Sequence, residues 1–235
     1  MRILAGILLL GMAACGGASP AASGSPAATA SPASCTSDAA ANFEVTSADG
    51  YTRRAASFGS GPAVVIAYQS DQSMCDVVPL ARWLADSGYT GVVVDLSGDW
   101  TGVLAAAAGA MRDRGSPSVQ LLGASKGGCA AMVAGSQITP PVDSVVSLGG
   151  ERKLGGGLDA DAAVAHSRVP LFVVTSANDG FLTGDEAAVL IRESAATDKK
   201  SLILEGSLHG VAMLDGADGQ RVRAAILAWL AAHAR

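Results

Sequence analysis

The sequence predicts one α/β domain, built on a mostly parallel β-sheet with helices on both faces. Runs of β-branched residues, which suit strands buried on both faces, alternate with segments of helical apolar spacing. The chain has 235 residues, of which 49% are hydrophobic, so it can form one core of ordinary size. Strands that alternate with helices generally pair in parallel.

The predicted domain opens with a β-hairpin and continues with alternating strands and helices. The hairpin joins residues 43–46 and 51–55 through Asp49-Gly50, a turn pair typical of hairpins, and it would add an antiparallel edge to the sheet. Later strands are predicted over residues 63–68, 91–96, 118–122, 143–148, 171–175 and 201–204. Helices are predicted over residues 74–87, 101–114, 126 to about 135, 183–195 and 219–232.

The first 14 residues are typical of an export signal. Arg2 precedes the apolar run Ile3–Ala14, which is shorter than the span of about 20 residues that crosses a bilayer. The run ends in Met12-Ala13-Ala14-Cys15, which resembles the bacterial lipoprotein signal, with Met12 where leucine is usual. The resemblance implies a lipid on Cys15 that anchors the protein at the outer face of a bacterial cell membrane. Simple cleavage and secretion is the alternative.

The segment after Cys15 has the composition of a tether. Residues 16–34 contain only Gly, Ala, Ser, Pro and Thr, which cannot bury a core. We therefore expect a flexible tether over residues 15–34 and a folded domain over residues 35–235. The formal charge of −5 argues against nucleic acid as a partner.

Export places the chain in an oxidising compartment, where disulfides form. If Cys15 carries lipid, Cys35, Cys75 and Cys129 allow one bridge in three possible pairings. Cys129 falls on a helix that we expect to be buried, where a free thiol behaves as a small apolar group. Cys35–Cys75 is therefore the preferred disulfide, and three reduced thiols are the alternative.

Ser125 stands in Gly123-Ala124-Ser125-Lys126-Gly127-Gly128, between a predicted buried strand and a helix. A serine on such a sharp turn needs Gly123 and Gly127, because Cβ atoms at those positions would collide. The helix that follows directs its positive end and free N–H groups toward the serine. The pattern predicts a nucleophile, and an idle serine in a glycine-rich turn is the alternative.

Carboxylates follow three of the predicted strands, at the edge of the sheet where catalytic groups gather. Asp179 follows the strand at 171–175, and a carboxylate there can orient an imidazole. Glu151 and Asp95 follow other strands and compete for the same role. Asp179 is the preferred acid, and Glu151 is its main alternative.

One of the three histidines is well placed to act as a base. His209 comes just after the last predicted strand, whereas His166 precedes a strand and His233 is two residues from the end of the sequence. Nucleophile, acid and base then follow each other in the order Ser125, Asp179, His209.

These motifs resemble the α/β-hydrolase superfamily over about residues 41–235. The resemblance rests on the segment around Ser125 and on Asn178-Asp179-Gly180, Ser207-Leu208-His209-Gly210 and Val94-Asp95-Leu96-Ser97-Gly98. The chain also looks like small exported bacterial hydrolases of the dienelactone-hydrolase-like or lysophospholipase-like kind. Those carry a cysteine shortly before a Pro-Leu-Ala-Arg stretch, here Cys75. The resemblance implies the α/β-hydrolase fold, with Ser125, Asp179 and His209 as the catalytic residues.

The resemblance also implies an oxyanion hole made of two backbone N–H groups. One belongs to Lys126, the residue after the nucleophile. The other comes from the loop after the strand at 63–68, where the family usually has His-Gly and this chain has Tyr68-Gln69-Ser70-Asp71. Ser70 is the expected donor by position. Asp71 should point outward, because its charge would repel an oxyanion.

We therefore expect an exported serine hydrolase that cleaves small-molecule esters through an acyl-enzyme, with no cofactor and no metal. About twenty residues separate the strands at 143–148 and 171–175, too few for a large lid. Lys126, Arg152 and Lys153 suggest a positive rim for anionic substrates, although ordinary solvated charges are the simpler interpretation. An acyltransferase on the same scaffold and a catalytically degenerate surface binding lipoprotein are the alternatives. The sequence leaves the oligomeric state open.

Overall fold

The computed structural model describes residues 35–234, and the predicted export signal, the lipidation of Cys15 and the tether lie outside the described residues. The strands are β1 (Ala41–Thr46), β2 (Thr52–Gly59), β3 (Ala63–Ala67), β4 (Thr90–Val94), β5 (Val119–Ala124), β6 (Val145–Leu148), β7 (Lys153–Leu154), β8 (Leu158–Asp159), β9 (Leu171–Ser176) and β10 (Lys199–Leu204). The helices are α1 (Val78–Asp86), α2 (Trp100–Asp113), α3 (Lys126–Gln137), α4 (Ala160–His166), α5 (Gly184–Glu193) and α6 (Gly219–His233). A 3-10 helix covers Gly210–Leu214.

Eight strands form one sheet, in the order β1-β2-β4-β3-β5-β6-β9-β10. β1 and β2 form the predicted antiparallel hairpin, and β2 pairs antiparallel with β4. Every other neighbouring pair in this sheet is parallel. Every residue of β3, β4 and β5 is buried, which requires cover on both faces of the sheet and explains their largely apolar sequences.

The order of strands reverses around β3, and this reversal locates the functional edge of the sheet. From β3 the chain passes through α1 to β4 on one side, and then through α2 to β5 on the other side. Such a reversal leaves a crevice beyond the carboxyl ends of the two strands that flank it. The loop after β3 and the turn after β5 are in close contact there. A Cβ at Gly127 would strike the carbonyl oxygens of Ala67 and Tyr68.

A disulfide joins Cys35 to Cys75, the pairing preferred from the sequence, and Cys129 is a buried free thiol. The bridge holds the start of the described chain against the turn that precedes α1. A salt bridge between Arg82 and Asp38 reinforces the same junction, with 2.6 Å between a guanidinium nitrogen and a carboxylate oxygen.

Two parts of the structure differ from the prediction. The helix predicted over residues 74–87 begins at Val78, because the preceding residues form turns in which the Asp76 carboxylate accepts from the Ser73 N–H and hydroxyl. The connection between β6 and β9 contains the β7–β8 ribbon and helix α4, which packs against α3 and α5. These elements are too short for a recognisable period. Within residues 35–234, no helix combines the length and the apolar character that crossing a membrane requires.

Candidate active site

Ser125 occupies a strained turn between β5 and α3. Its φ of 52° and ψ of −127° make it the one non-glycine residue with positive φ among residues 35–234. Its N–H donates to the Leu148 carbonyl oxygen at 2.9 Å, which ties the turn to the end of β6. A Cβ at Gly123 would collide with the carbonyl of Gly127, as the sequence pattern indicates. Backbone strain of this kind persists where the surroundings fix it, and it is concentrated at functional sites.

His209 and Asp179 lie in direct contact. The imidazole Nδ1 is 2.8 Å from one carboxylate oxygen of Asp179 and 3.0 Å from the other. The Asp179 side chain is fully buried, and it also accepts the Phe181 N–H at 2.9 Å. Because a carboxylate only accepts hydrogen bonds, this contact keeps the proton of a neutral imidazole on Nδ1. The Nε2 atom of His209 is left as the basic nitrogen. It is buried and has no hydrogen-bond partner among the described residues.

The imidazole is held between a phenyl ring and a glycine. The Phe181 ring packs on it with 4.5 Å between the ring centroids, and Phe181 itself remains 62% exposed. Gly149, directly after β6, has a φ of +60°. A Cβ at Gly149 would lie 2.9 Å from His209 Nδ1 and 3.0 Å from a carboxylate oxygen of Asp179. The close approach of the backbone to the His209–Asp179 pair therefore requires glycine at this position.

Ser125 and His209 do not form a hydrogen bond with each other in this structure. The Ser125 hydroxyl donates to a carboxylate oxygen of Glu151, at 3.3 Å. The other Glu151 oxygen is buried and has no hydrogen-bond partner within residues 35–234. Glu151, the alternative acid, thus contacts the serine and not the imidazole. Asp95, the third candidate, accepts the Ser97 N–H at 3.0 Å.

Lys126 follows Ser125 directly, and the loop after β3 contacts the same turn at Gly127. Lys126 is the first residue of α3, where a helix leaves its N–H groups without helical acceptors. Its ammonium lies 4.3 Å from the centroid of the Trp100 ring, and that ring packs edge-on against Tyr68. Ser70 and Asp71 are both exposed. The Asp71 carboxylate accepts a long hydrogen bond from the Gln69 amide group, at 3.5 Å.

The side chain of Gln69 has a role in this site that the sequence did not predict. Its side-chain oxygen accepts the Val211 N–H at 2.8 Å, so it joins the loop after β3 to the turn after His209. A Cβ at Gly210 would collide with the same oxygen, and Gly210 has a φ of +56°. The glycine that follows His209 is the signal that points to such a close approach.

Other polar groups near the site are engaged elsewhere. Arg152 pairs with Asp161 at 2.7 Å, and Lys153 pairs with Asp159 at 2.6 Å. Neighbouring carboxylates therefore neutralise these two cations, which do not form a free positive rim. Burial raises the pKa of the Cys129 thiol to about 12, so this thiol stays protonated and is a poor nucleophile. No group of three or more His, Cys, Asp or Glu residues in the described part of the chain is arranged to hold a metal ion.

A separate surface cavity of about 640 Å³ lies near the starts of β6 and β9, at the opposite end of the parallel strands. Val142, Arg168 and His233 are among the residues that line it. His233 is held there by the Trp229 carbonyl oxygen and the Asp198 carboxylate. This cavity contains none of the residues that surround Ser125.

Solved structures with the same architecture include esterases, dienelactone hydrolases and a monoacylglycerol lipase. An esterase from Pyrococcus furiosus superposes with a TM-score of 0.73 at 13% identity, over 87% of this chain and 94% of that chain. The fold is that of the α/β-hydrolases. A dienelactone hydrolase from Anabaena variabilis has a TM-score of 0.65 at 19% identity, over 83% of this chain and 99% of that chain. A monoacylglycerol lipase from Paleococcus ferrophilus has a TM-score of 0.64 at 14% identity, over 77% and 99%. No protein-family model matches the chain, and comparison with curated protein sequences finds no match.

Within this α/β-hydrolase fold, the candidate residues come from the ends of four of the five strands that run from β3 to β10 in the sheet. Ser70 follows β3, Ser125 follows β5, Asp179 follows β9 and His209 follows β10, while the end of β6 passes between the serine and the imidazole. Parallel strands present their carboxyl ends at one edge, which is why residues up to 139 positions apart in the chain gather there.

Proposed function

We propose that this protein is an exported serine hydrolase that cleaves small-molecule esters through Ser125, His209 and Asp179. The observation that carries the proposal is the positive φ of Ser125 on the turn between β5 and α3. A non-glycine residue tolerates that conformation at a cost of about 1–3 kcal/mol, and a strand-turn-helix serine is the position of the nucleophile in enzymes of this fold. The esterases and dienelactone hydrolases of the same architecture support this class of reaction.

The basic nitrogen of His209 accepts the serine proton in this proposal. The contact with Asp179 orients the imidazole and stabilises its charged form once the proton arrives. For this step the Ser125 hydroxyl must give up its hydrogen bond to Glu151 and donate to His209 Nε2, which has no hydrogen-bond partner within residues 35–234. Hydrogen bonds between nucleophile and base often tighten only when substrate is bound.

The reaction then proceeds in two halves. The Ser125 oxygen bonds to the carbonyl carbon of the ester as its proton moves to His209 Nε2. The negative oxygen that forms accepts hydrogen bonds from the N–H groups of Lys126 and Ser70. The carbon–oxygen bond to the alcohol breaks, and His209 returns the proton to the alcohol. Water attacks the acyl-enzyme in the same way and releases the acid.

The proposal includes anchoring through a lipid on Cys15. A lipidated cysteine followed by the Gly/Ala/Ser/Pro segment would attach the domain to a membrane surface by a flexible connection. A short connection between β6 and β9, with α4 packed against α3 and α5, supports an open site without a large lid.

Labelling with a fluorophosphonate probe tests the proposal without knowledge of the substrate. The full chain in detergent should be labelled at Ser125 alone, and Ser125→Ala should abolish labelling with a nearly unchanged thermal midpoint. Ser136→Ala, which changes an exposed serine on the same helix, should retain labelling. A folded protein that takes up no label would be a degenerate binding protein, and added acceptor alcohols would reveal an acyltransferase by the new ester they form.

A further inference from the structure

Glu151 is the residue of the candidate site that the proposed reaction does not use. One of its carboxylate oxygens accepts the Ser125 hydroxyl at 3.3 Å, and the other is buried without a hydrogen-bond partner within residues 35–234. A buried carboxylate oxygen is costly to leave unpaired, so a ligand group that donates to it would gain a strong hydrogen bond. Glu151 thus offers an acceptor beside the nucleophile, where the acyl part of a substrate must lie.

The cations near Glu151 do not pair with it. Arg152 binds Asp161 and reaches Glu193, and Lys153 binds Asp159. The ammonium of Lys126 lies over the Trp100 ring. In the described part of the chain, no ion pair neutralises Glu151, so the surroundings of Ser125 favour a positive substrate group rather than a negative one.

We propose that Glu151 selects esters whose acyl group carries an ammonium group on the carbon next to the scissile carbonyl, as in α-aminoacyl esters. The inference rests on the proposed function and names its substrate class. Covalent geometry supports the choice of the α position. An α-nitrogen lies about 2.5 Å from the carbonyl carbon, and that carbon bonds to the Ser125 oxygen during the reaction. Since Glu151 is 3.3 Å from the same oxygen, an acyl group that turns its α-ammonium toward Glu151 brings it within hydrogen-bond reach of the carboxylate.

The same contact would couple substrate binding to activation of the serine. An ammonium has three N–H donors and can bind both Glu151 oxygens, the unpaired one and the one that accepts the Ser125 hydroxyl, so it competes with the hydroxyl for the second oxygen. When the ammonium takes that oxygen, the hydroxyl is free to donate to His209 Nε2, which has no partner within residues 35–234. A neutral acyl group of the same size cannot displace the hydroxyl in this way.

The test compares two benzyl esters that differ by one group. Alanine benzyl ester carries an ammonium where isobutyric acid benzyl ester carries a methyl group. With the full chain in detergent, kcat/KM for the alanyl ester should exceed that for the isobutyryl ester by about tenfold or more, the usual gain from a hydrogen bond to a charged group. N-acetylation of the alanyl ester, which removes the charge, should remove this preference.

Three variants test whether Glu151 causes the preference for the alanyl ester. Glu151→Gln should lower the ratio of the two kcat/KM values by about tenfold, whereas Glu193→Gln, which changes a nearby carboxylate that reaches Arg152, should leave the ratio unaltered. Glu151→Asp keeps the charge and should retain part of the preference, even if Glu151→Gln folds poorly. Equal rates for the two esters in the unmodified protein, or a ratio that Glu151→Gln does not change, would overturn the inference.

Probe labelling separates the two proposals. If Ser125 is labelled but kcat/KM is the same for the two esters, or neither ester is cleaved, the role of Glu151 is rejected. The proposal of a serine hydrolase is then retained. No labelling and no cleavage by the folded protein rejects both.

Discussion

Gly149→Ala should disable the candidate site without unfolding the protein. The new Cβ would lie 2.9 Å from His209 Nδ1, whereas ordinary contacts begin near 3.4 Å, so the imidazole must move by at least about 0.5 Å. Asp179 is fully buried and the Phe181 ring packs on the imidazole. Neither His209 nor Asp179 can therefore move away from the new Cβ without disturbing the contact between them. A misplacement approaching 1 Å is enough to lower a rate by about 10²-fold.

The matched control is Gly156→Ala in the turn between β7 and β8. Gly156 has a φ of +74°, close to the +60° of Gly149, but a Cβ there meets no atom within 4 Å. Both variants should therefore lose about 1–2 kcal/mol of stability from the left-handed backbone, a fall of a few degrees in the thermal midpoint. The second-order rate of fluorophosphonate labelling should fall about 10²-fold in Gly149→Ala alone. Equal labelling rates in the two variants would refute the argument that Gly149 sets the position of the His209–Asp179 pair.

Four further predictions address the acid, the loops, the disulfide and the anchor. Asp179→Asn should slow probe labelling by about 10³-fold or more, far more than Glu151→Gln; the reverse ranking would transfer the role of acid to Glu151. Gln69→Leu should slow labelling because the Val211 N–H loses its acceptor, and Gln69→Glu, which keeps an acceptor oxygen, should restore most of the rate. Serine at both positions of the Cys35–Cys75 bridge should lower the free energy of unfolding in urea by about 2–4 kcal/mol, since the bridge closes a loop of 40 residues. Cys15→Ala should abolish incorporation of labelled fatty acid and release the protein from membranes, and membrane attachment that survives this change would exclude Cys15 as the anchor.

The elements that the sequence predicts well are those whose signals are local. The strand before Ser125 is largely apolar, and the glycines around the serine permit a turn that the structure contains. Helix α4 and the β7–β8 ribbon were not predicted, because seven and two residues are too few to establish a period. The start of α1 at Val78 depends on turns that the Cys35–Cys75 bridge adjoins, which is tertiary information.

The candidate site likewise combines features that the sequence predicts with features that only the structure shows. Strand order and chain position are enough to bring Ser125, Asp179 and His209 to one edge of a parallel sheet. They do not reveal which carboxylate contacts the imidazole, because Asp179 and Glu151 both follow strands at that edge. The bond from Gln69 to Val211 joins residues 142 positions apart, and no spacing in the sequence encodes it.

The glycine pair after β6 explains why Glu151 lies beside the serine. A Cβ at Gly149 would strike His209 and Asp179, and a Cβ at Gly150 would lie 2.6–2.7 Å from the backbone of Gly128 and Cys129. The chain can therefore leave β6 only by passing closely between the imidazole and the start of α3. This path places the side chain of the next residue, Glu151, beside the Ser125 hydroxyl. The side chain at position 151 therefore controls directly which acyl groups fit beside the serine. The connection that follows it is short and forms no large lid that could select the acyl group instead.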